Sequence, residues 1–169
     1  MRIASLAIDP LTTLPIVILE DEAGLEAAYI RVGASDASSI AAELEGIELV
    51  RPTTHRLMGD LLEGAGVRVT WVEIDAPDEG SFFGVIHLEL PSGERARHEA
   101  RTSDALALAL RAGAEIRVTP AVVDRAERPA PLVDDDHGAA AALPAGGPPT
   151  LTVADEALDL VVAPGKWKM

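Results

Sequence analysis

Cysteine is absent from the 169 residues, which excludes disulfides and thiolate-bound metals and fits a reducing compartment. Aromatic residues amount to 3%, so the core has to be built from Ala, Leu, Ile and Val, and a hydrophobic share of 48% supplies them. No apolar run approaches the ~20 residues of a membrane-crossing helix. No charged segment followed by an apolar stretch and a cleavage site opens the chain. A cytoplasmic protein without membrane contact is the expectation. Lysine is missing from residues 1–128, which carry 12 arginines against 22 acidic side chains. The formal net charge of −14 argues against loose, backbone-driven nucleic-acid binding, which needs many cations to displace counterions. Arginine can still clamp a phosphate through two parallel hydrogen bonds, although a GC-rich coding sequence would enrich it as well. Also missing are a P-loop, a GxGxxG after a strand, an HExxH and a GxSxG, which sets aside most recognisable hydrolase classes.

What is present is an alternation of strands and helices. Arg2 to Asp9, Pro15 to Glu20 (PIVILE) and Glu26 to Val32 read as three strands. A helix follows, with Ser35 expected as its cap, Asp36 in its first turn, Ile40, Leu44 and Ile47 at helical spacing, and Gly46 as its stop. A second helix is expected from Thr54 to Gly64, capped by Thr53 or Thr54, with Leu57, Leu61 and Leu62 as its buried stripe. The pattern then restarts. Val67 to Ile74 and Ser81 to Leu90 read as strands, Pro91-Ser92-Gly93 as a tight turn, and Glu94 to Arg101 as the returning strand. Ser103 is the expected cap of a helix containing ALALAL, apolar all round and therefore buried. Ile116 to Val118 reads as a short extension, and Thr119-Pro120 as the start of a last short helix.

The tripeptide Ser-Asp-Ala occurs at 35–37 and again at 103–105, each time after a strand and at the opening of an Ala/Leu/Ile-rich helix closed by glycine (Gly46, Gly113). That recurrence points to an internal duplication of three strands and two helices. Residues 1–128 then form the domain. Residues 129–150, rich in Pro, Ala, Gly and Asp, are expected to be a flexible linker. Residues 151–162 regain periodicity, and the segment 151–169 is expected either to fray or to dock on a partner, with Trp167 as an anchor.

Two stretches carry candidate chemistry. In RPTTHRLMGDLLEGAG (51–66), Arg51 and His55 flank a Pro-Thr-Thr turn at a helix start, where backbone N–H groups attract anions. His55 is suited to move a proton or to ligate a metal. The alternative is a threonine cap with His55 as surface decoration. In EARTSDALALALRAG (99–113), Arg101 and Asp104 bracket Ser103, and Arg111 lies further along. Glu99 and Asp104 offer hard oxygen donors for a divalent ion; otherwise Asp104 serves the helix dipole and pairs with an arginine. His87 and His98, on the two arms of the hairpin, would form a metal pair only if the register set them on one face. His137, beside three aspartates, reads as solvated tail.

The order of YIRVGASDASSIAAELEG (29–46), RPTTHRLMGDLLEGAG, SFFGVIHLEL (81–90) and EARTSDALALALRAGAEIRV (99–118) resembles the bifunctional nuclease family over about three quarters of the chain. The resemblance implies an α+β fold, a barrel-like, mostly antiparallel sheet from two β3-α2 repeats, and self-association. It also implies cleavage of both RNA and DNA, as described for some plant members. Matched by motif, Arg51, Pro52, Thr54 and His55 come from the first stretch, and Arg101, Ser103, Asp104 and Arg111 from the second. Three positions depart from the family pattern: Arg56 stands where an acid usually follows the histidine, Asp36 where the first helix usually opens on Glu-Ala, and Thr102 where proline usually stands.

The expectation is therefore a metal-dependent nuclease of low sequence preference. His55, Asp104, Arg51 and Arg101 would be catalytic. Thr54, Ser103 and Arg111 would bind phosphate. Asp104 and Asp36 would hold magnesium or manganese. The rival is a non-enzymatic binding or assembly module on the same fold, favoured by the net charge and by the missing acid after His55. The two divide on whether the Thr-His turn and the Ser-Asp turn meet in space.

Overall fold

A computed structural model of the chain describes residues 1–77 and 81–126. The linker expected over 129–150, the segment expected over 151–169, and with them His137 and Trp167, lie outside the described residues.

The first sheet holds β1 (Arg2–Ile8), β2 (Pro15–Glu20) and β3 (Ala27–Arg31), antiparallel and in chain order. Four consecutive residues of the central strand β2, Ile16 to Leu19, are buried, as expected of a β-branched run covered on both faces. Asp9 shapes the turn after β1: its carboxylate accepts from the N–H groups of Leu11 (2.9 Å) and Thr12 (3.3 Å), and Arg31 closes on its other oxygen at 3.2 Å. Helices α1 (Ala34–Leu44) and α2 (Thr54–Gly64) follow. The second sheet comprises β4 (Arg68–Asp75), β5 (Phe83–Glu89), β6 (Arg95–Arg101) and the short β7 (Glu115–Val118), in the order β6-β5-β4-β7. Only β7 runs parallel to its neighbour, β4, among the described residues. Helix α3 (Thr102–Ala112) sits between β6 and β7 in the chain, and α4 (Pro120–Arg125) ends the described part, with Pro120 in its first turn.

Helix α3 is the centre of the core. Ala105, Leu106, Ala107, Leu108 and Ala109 are all buried, and the helix packs on α1, α2, β4 and β5. Its approach to the second sheet requires glycine at 84, because a Cβ there would lie 2.5 Å from Cβ of Ala105. Gly113 ends α3 in the left-handed region, φ 61°, where a side chain would be strained.

The α+β class and the mostly antiparallel pairing agree with the sequence. A single barrel-like sheet does not appear: the described strands form two open sheets, and no strand pairs from one to the other. They are bridged instead by α4, which packs on β3 and β4, and by the amino-terminal ammonium, which donates to the carbonyl of Ile116 at 2.7 Å. The second half also inserts β7 between its helices, so the element order is not a plain doubling.

Two local expectations change, and one is settled between its alternatives. Ser35 and Ser103 are not caps; each N-cap lies two residues earlier, at Gly33 and Arg101, with no side-chain cap bond. Thr53, of the two candidates for α2, is its cap, accepting from the N–H of Arg56 at 3.4 Å. The buried stripe of α2 is not the one that leucine spacing suggests: Leu57 and Leu61 are 47% and 65% exposed, Leu62 touches the core, and the one buried residue is His55. A helix pattern fixes which residues share a face but not which face is covered.

Candidate active site

Three helix starts meet. The Ser-Asp pair occupies the second and third helical positions of both α1 (Ser35, Asp36) and α3 (Ser103, Asp104), and α1 packs on α3. His55 is the second residue of α2, which also packs on α3. Nε2 of His55 lies 2.9 Å from Oδ1 of Asp104. Arg101, at the N-cap of α3, folds back and forks onto Asp104, with Nε to Oδ2 and Nη2 to Oδ1 both at 2.8 Å. Its remaining Nη1 is 3.5 Å from Oδ2 of Asp36. The hydroxyl of Ser103 donates to that same oxygen at 2.8 Å. The five side chains thus form one continuous network linking residues 67 apart in sequence.

The network grades from inside to outside. His55 is 9% exposed, Asp36 15%, Asp104 24% and Arg101 68%, so the imidazole is the floor and the guanidinium the rim. The Arg101 guanidinium holds the Asp104 carboxyl below the usual carboxylate value; burial opposes this and the His55 hydrogen bond adds to it. Asp104 is therefore a carboxylate that only accepts, so Nε2 of His55 carries the hydrogen in this arrangement. Nδ1 is buried with no hydrogen-bond partner among the described residues.

Ligand atoms of Asp36, His55 and Asp104 all lie within 4.8 Å of one another. Two carboxylates and one imidazole suit a hard divalent cation such as magnesium or manganese. Two carboxylates facing one guanidinium leave a formal negative charge that such an ion would neutralise. The residues present therefore fit a metal, on condition that His55 Nε2 gives up its contact with Asp104 if it is to ligate.

Of the residues singled out from sequence, His55, Asp104, Arg101, Ser103 and Asp36 come together. Arg51 is exposed, with no ion pair or hydrogen bond among the described residues, and Thr54 begins α2 next to His55. Arg111 is not in the cluster: it lies seven residues, or about 10 Å, along α3 from Asp104 and pairs with Asp60 of α2 at 2.5 Å. Glu99 is exposed on β6 and is not part of the metal-competent group. Arg56 stays outside as well, donating to the carbonyl of Ile47 at 3.4 Å and steadying the loop between α1 and α2. The histidine pair does not form. His87 faces Arg97, and His98 faces Ile86, so one register step puts them on opposite faces of the sheet. His87 stacks on Trp71 instead, with ring centroids 3.5 Å apart. Sequence reasoning missed the bond from Ser103 to Asp36; the recurrence of the tripeptide was its only trace.

A profile described as the bifunctional nuclease domain matches residues 17–131. Two proteins of Mycobacterium tuberculosis, one from strain CDC 1551 / Oshkosh and one from strain ATCC 25618 / H37Rv, are each 31% identical over 141 residues. The alignment covers 83% of this chain and 84% of each of them, and both are described as uncharacterized.

Proposed function

We propose that this chain, which belongs to the bifunctional nuclease domain family, is a metal-dependent nuclease that hydrolyses phosphodiester bonds of RNA and DNA with little sequence preference. The observation that carries this reading is the convergence of Asp36, His55, Arg101, Ser103 and Asp104 at three helix starts. Asp36 and Asp104 would hold magnesium or manganese, with His55 as a third donor within reach; the bound ion would polarise the phosphoryl oxygens. His55 serves in one of two ways: as that third ligand, or, with its hydrogen on Nδ1 and its Nε2 released from Asp104, as the base that takes the proton of the attacking water. Arg101, on the rim, holds the scissile phosphate and offsets the charge that grows on it. Arg51, open to solvent, guides the strand, and Thr54 and Ser103 add hydroxyl contacts. Arg111 is committed to Asp60, so its part is to fasten α2 to α3. The site belongs to the domain of residues 1–128, which works as a homo-oligomer in the cytoplasm.

A second reading has one observation in its favour. Every carboxylate oxygen of Asp104 is already occupied, which is how a purely structural lock between α1, α2 and α3 would look. The full-length chain, incubated with single- and double-stranded RNA and DNA in magnesium, manganese or EDTA, separates the two. The nuclease reading expects cleavage that EDTA abolishes and that His55→Ala lowers by roughly 10²- to 10⁴-fold. Cleavage equal in the variant would mean a contaminant, and no cleavage of any substrate would leave the lock.

A further inference from the structure

At the start of α3, where Thr102 stands between Arg101 and Ser103, lies a cavity of about 310 Å³. Its walls come from β3 (Tyr29, Arg31), from the residues entering β5 (Ser81, Phe82), from the first residue of α3 (Thr102) and from the end of α4 (Arg125). The volume falls at the lower end of the range of small-ligand pockets, large enough for one nucleotide unit. Four features of its lining favour an anionic ligand with a flat ring.

Arg31 is preorganised. Its Nε is held at 3.2 Å by Asp9, a residue only 2% exposed whose carboxylate is itself fixed by two backbone N–H groups. The Nη groups of Arg31 are not consumed by that bond, and a guanidinium anchored through one nitrogen presents the others with little loss of freedom. Arg125 reaches the same cavity from α4. It donates to the carbonyl of Pro77, and its guanidinium carbon lies 5.7 Å from the centroid of the Phe82 ring. Two guanidiniums on two separate elements can grip one phosphate from two sides. Phe82 and Tyr29 provide the ring surface that a base or ribose would pack on.

The fourth feature is independent of charge. Thr102 is 7% exposed, and its hydroxyl is buried without a hydrogen-bond partner among the described residues. Leaving such a group unsatisfied is unfavourable, and because Thr102 lines the cavity, a ligand there would give the hydroxyl a partner once the side chain turns toward it. Thr102 stands between Arg101 and Ser103, so a ligand reaching its hydroxyl would be one residue from two members of the network.

We infer that this cavity is a nucleotide subsite: it takes the nucleotide next to the scissile bond, with its phosphate between Arg31 and Arg125 and its base or ribose against Phe82 and Tyr29. The subsite deepens the nuclease reading and rests on it for its role, but its occupancy is measurable without turnover.

The test uses the full-length chain and isothermal titration with 5′-AMP, adenosine and inorganic phosphate. Saturable binding of 5′-AMP is expected, at least about tenfold tighter than adenosine, because the charge-assisted phosphate contacts are what distinguish them. Arg31→Met should weaken 5′-AMP on the order of tenfold. Arg31 also steadies Asp9, so Thr102→Val, which keeps the shape, serves as a second probe, and weaker binding is expected from it too. Both variants should raise KM for an oligonucleotide more than they lower kcat. His55→Gln should bind 5′-AMP like the parent chain while losing cleavage. Equal affinity for 5′-AMP and adenosine, or parental 5′-AMP affinity in both Arg31→Met and Thr102→Val, overturns the subsite. Arginine-dependent 5′-AMP binding in a chain that cleaves nothing would support the pocket and sink the nuclease reading instead.

Discussion

Asp104 accepts from Nε and Nη2 of Arg101 and from Nε2 of His55, so three donors share two carboxylate oxygens. Its ionised form is favoured in the folded chain, and its pKa lies below the usual 3.8. The unfolded chain takes up the proton first as the pH drops, so the stabilisation is complete above about pH 4 and disappears as pH falls through the folded-state value. Urea denaturation between pH 5 and pH 2 should show a steeper loss of stability for the parent chain than for Asp104→Asn. His87 behaves with the same sign at higher pH. Burial lowers its pKa below 6.5, with Arg97 and Arg117 adding to the effect and Glu73 opposing it. Its share of stability is whole above about pH 6.5 and fades below that as the unfolded chain binds the proton. Replacing it by Gln should flatten the slope of stability between pH 7 and pH 5. At this scale the sequence was legible in residue types and illegible in partners. His55 and Asp104 are conspicuous near Arg51 and Arg101, whereas the hydroxyl of Ser103 looks like a cap until its acceptor, Asp36, is brought in from another helix.

Helices α2 and α3 show how far spacing carries. The run ALALAL has no polar side, and α3 is buried accordingly. In α2, Leu57, Leu61 and Leu62 promise a buried stripe, yet the helix turns His55 inward and leaves Leu57, Met58 and Leu61 substantially exposed. The covered face was decided by α3, to which α2 is tied through Arg111 and Asp60, and no local pattern encodes that choice. The energetic contrast is measurable. Leu106→Ala should cost about 2–5 kcal/mol in chemical denaturation, since it opens a hole in a fully buried layer. Leu61→Gln should stay within about 0.5 kcal/mol, as expected of a surface change. Gly84→Ala should be costly for a reason of packing rather than backbone, because its methyl group would have to displace Ala105 and with it the start of α3. Such a variant should lose thermal stability and 5′-AMP binding together, since Thr102 opens the same helix.

For the whole molecule, the recurrence of Ser-Asp-Ala gave the most far-reaching hint. The two copies occupy equivalent positions in α1 and α3, and their aspartates face one network. What recurrence could not give was the sheet arrangement. Two open sheets rather than a barrel reflect which strands pair: the described strands of β1–β3 pair only with one another, as do those of β4–β7, and no recurrent tripeptide specifies that. None of the described helices is long and apolar enough to cross a membrane. The net charge of −14 bears on the proposal as well: an acidic chain repels a polyanionic strand at a distance, so the proposed binding would have to come from short-range arginine contacts and from a divalent ion at the site. The most direct measurement is therefore the cleavage rate of a single-stranded oligonucleotide across a range of manganese concentrations, for the parent chain and for Asp36→Asn. The rate of the parent should saturate with manganese, and the variant should need at least about tenfold more metal to reach half of its maximum. Superimposed curves, or no cleavage at any concentration, would contradict a metal-dependent nuclease built on Asp36, His55 and Asp104.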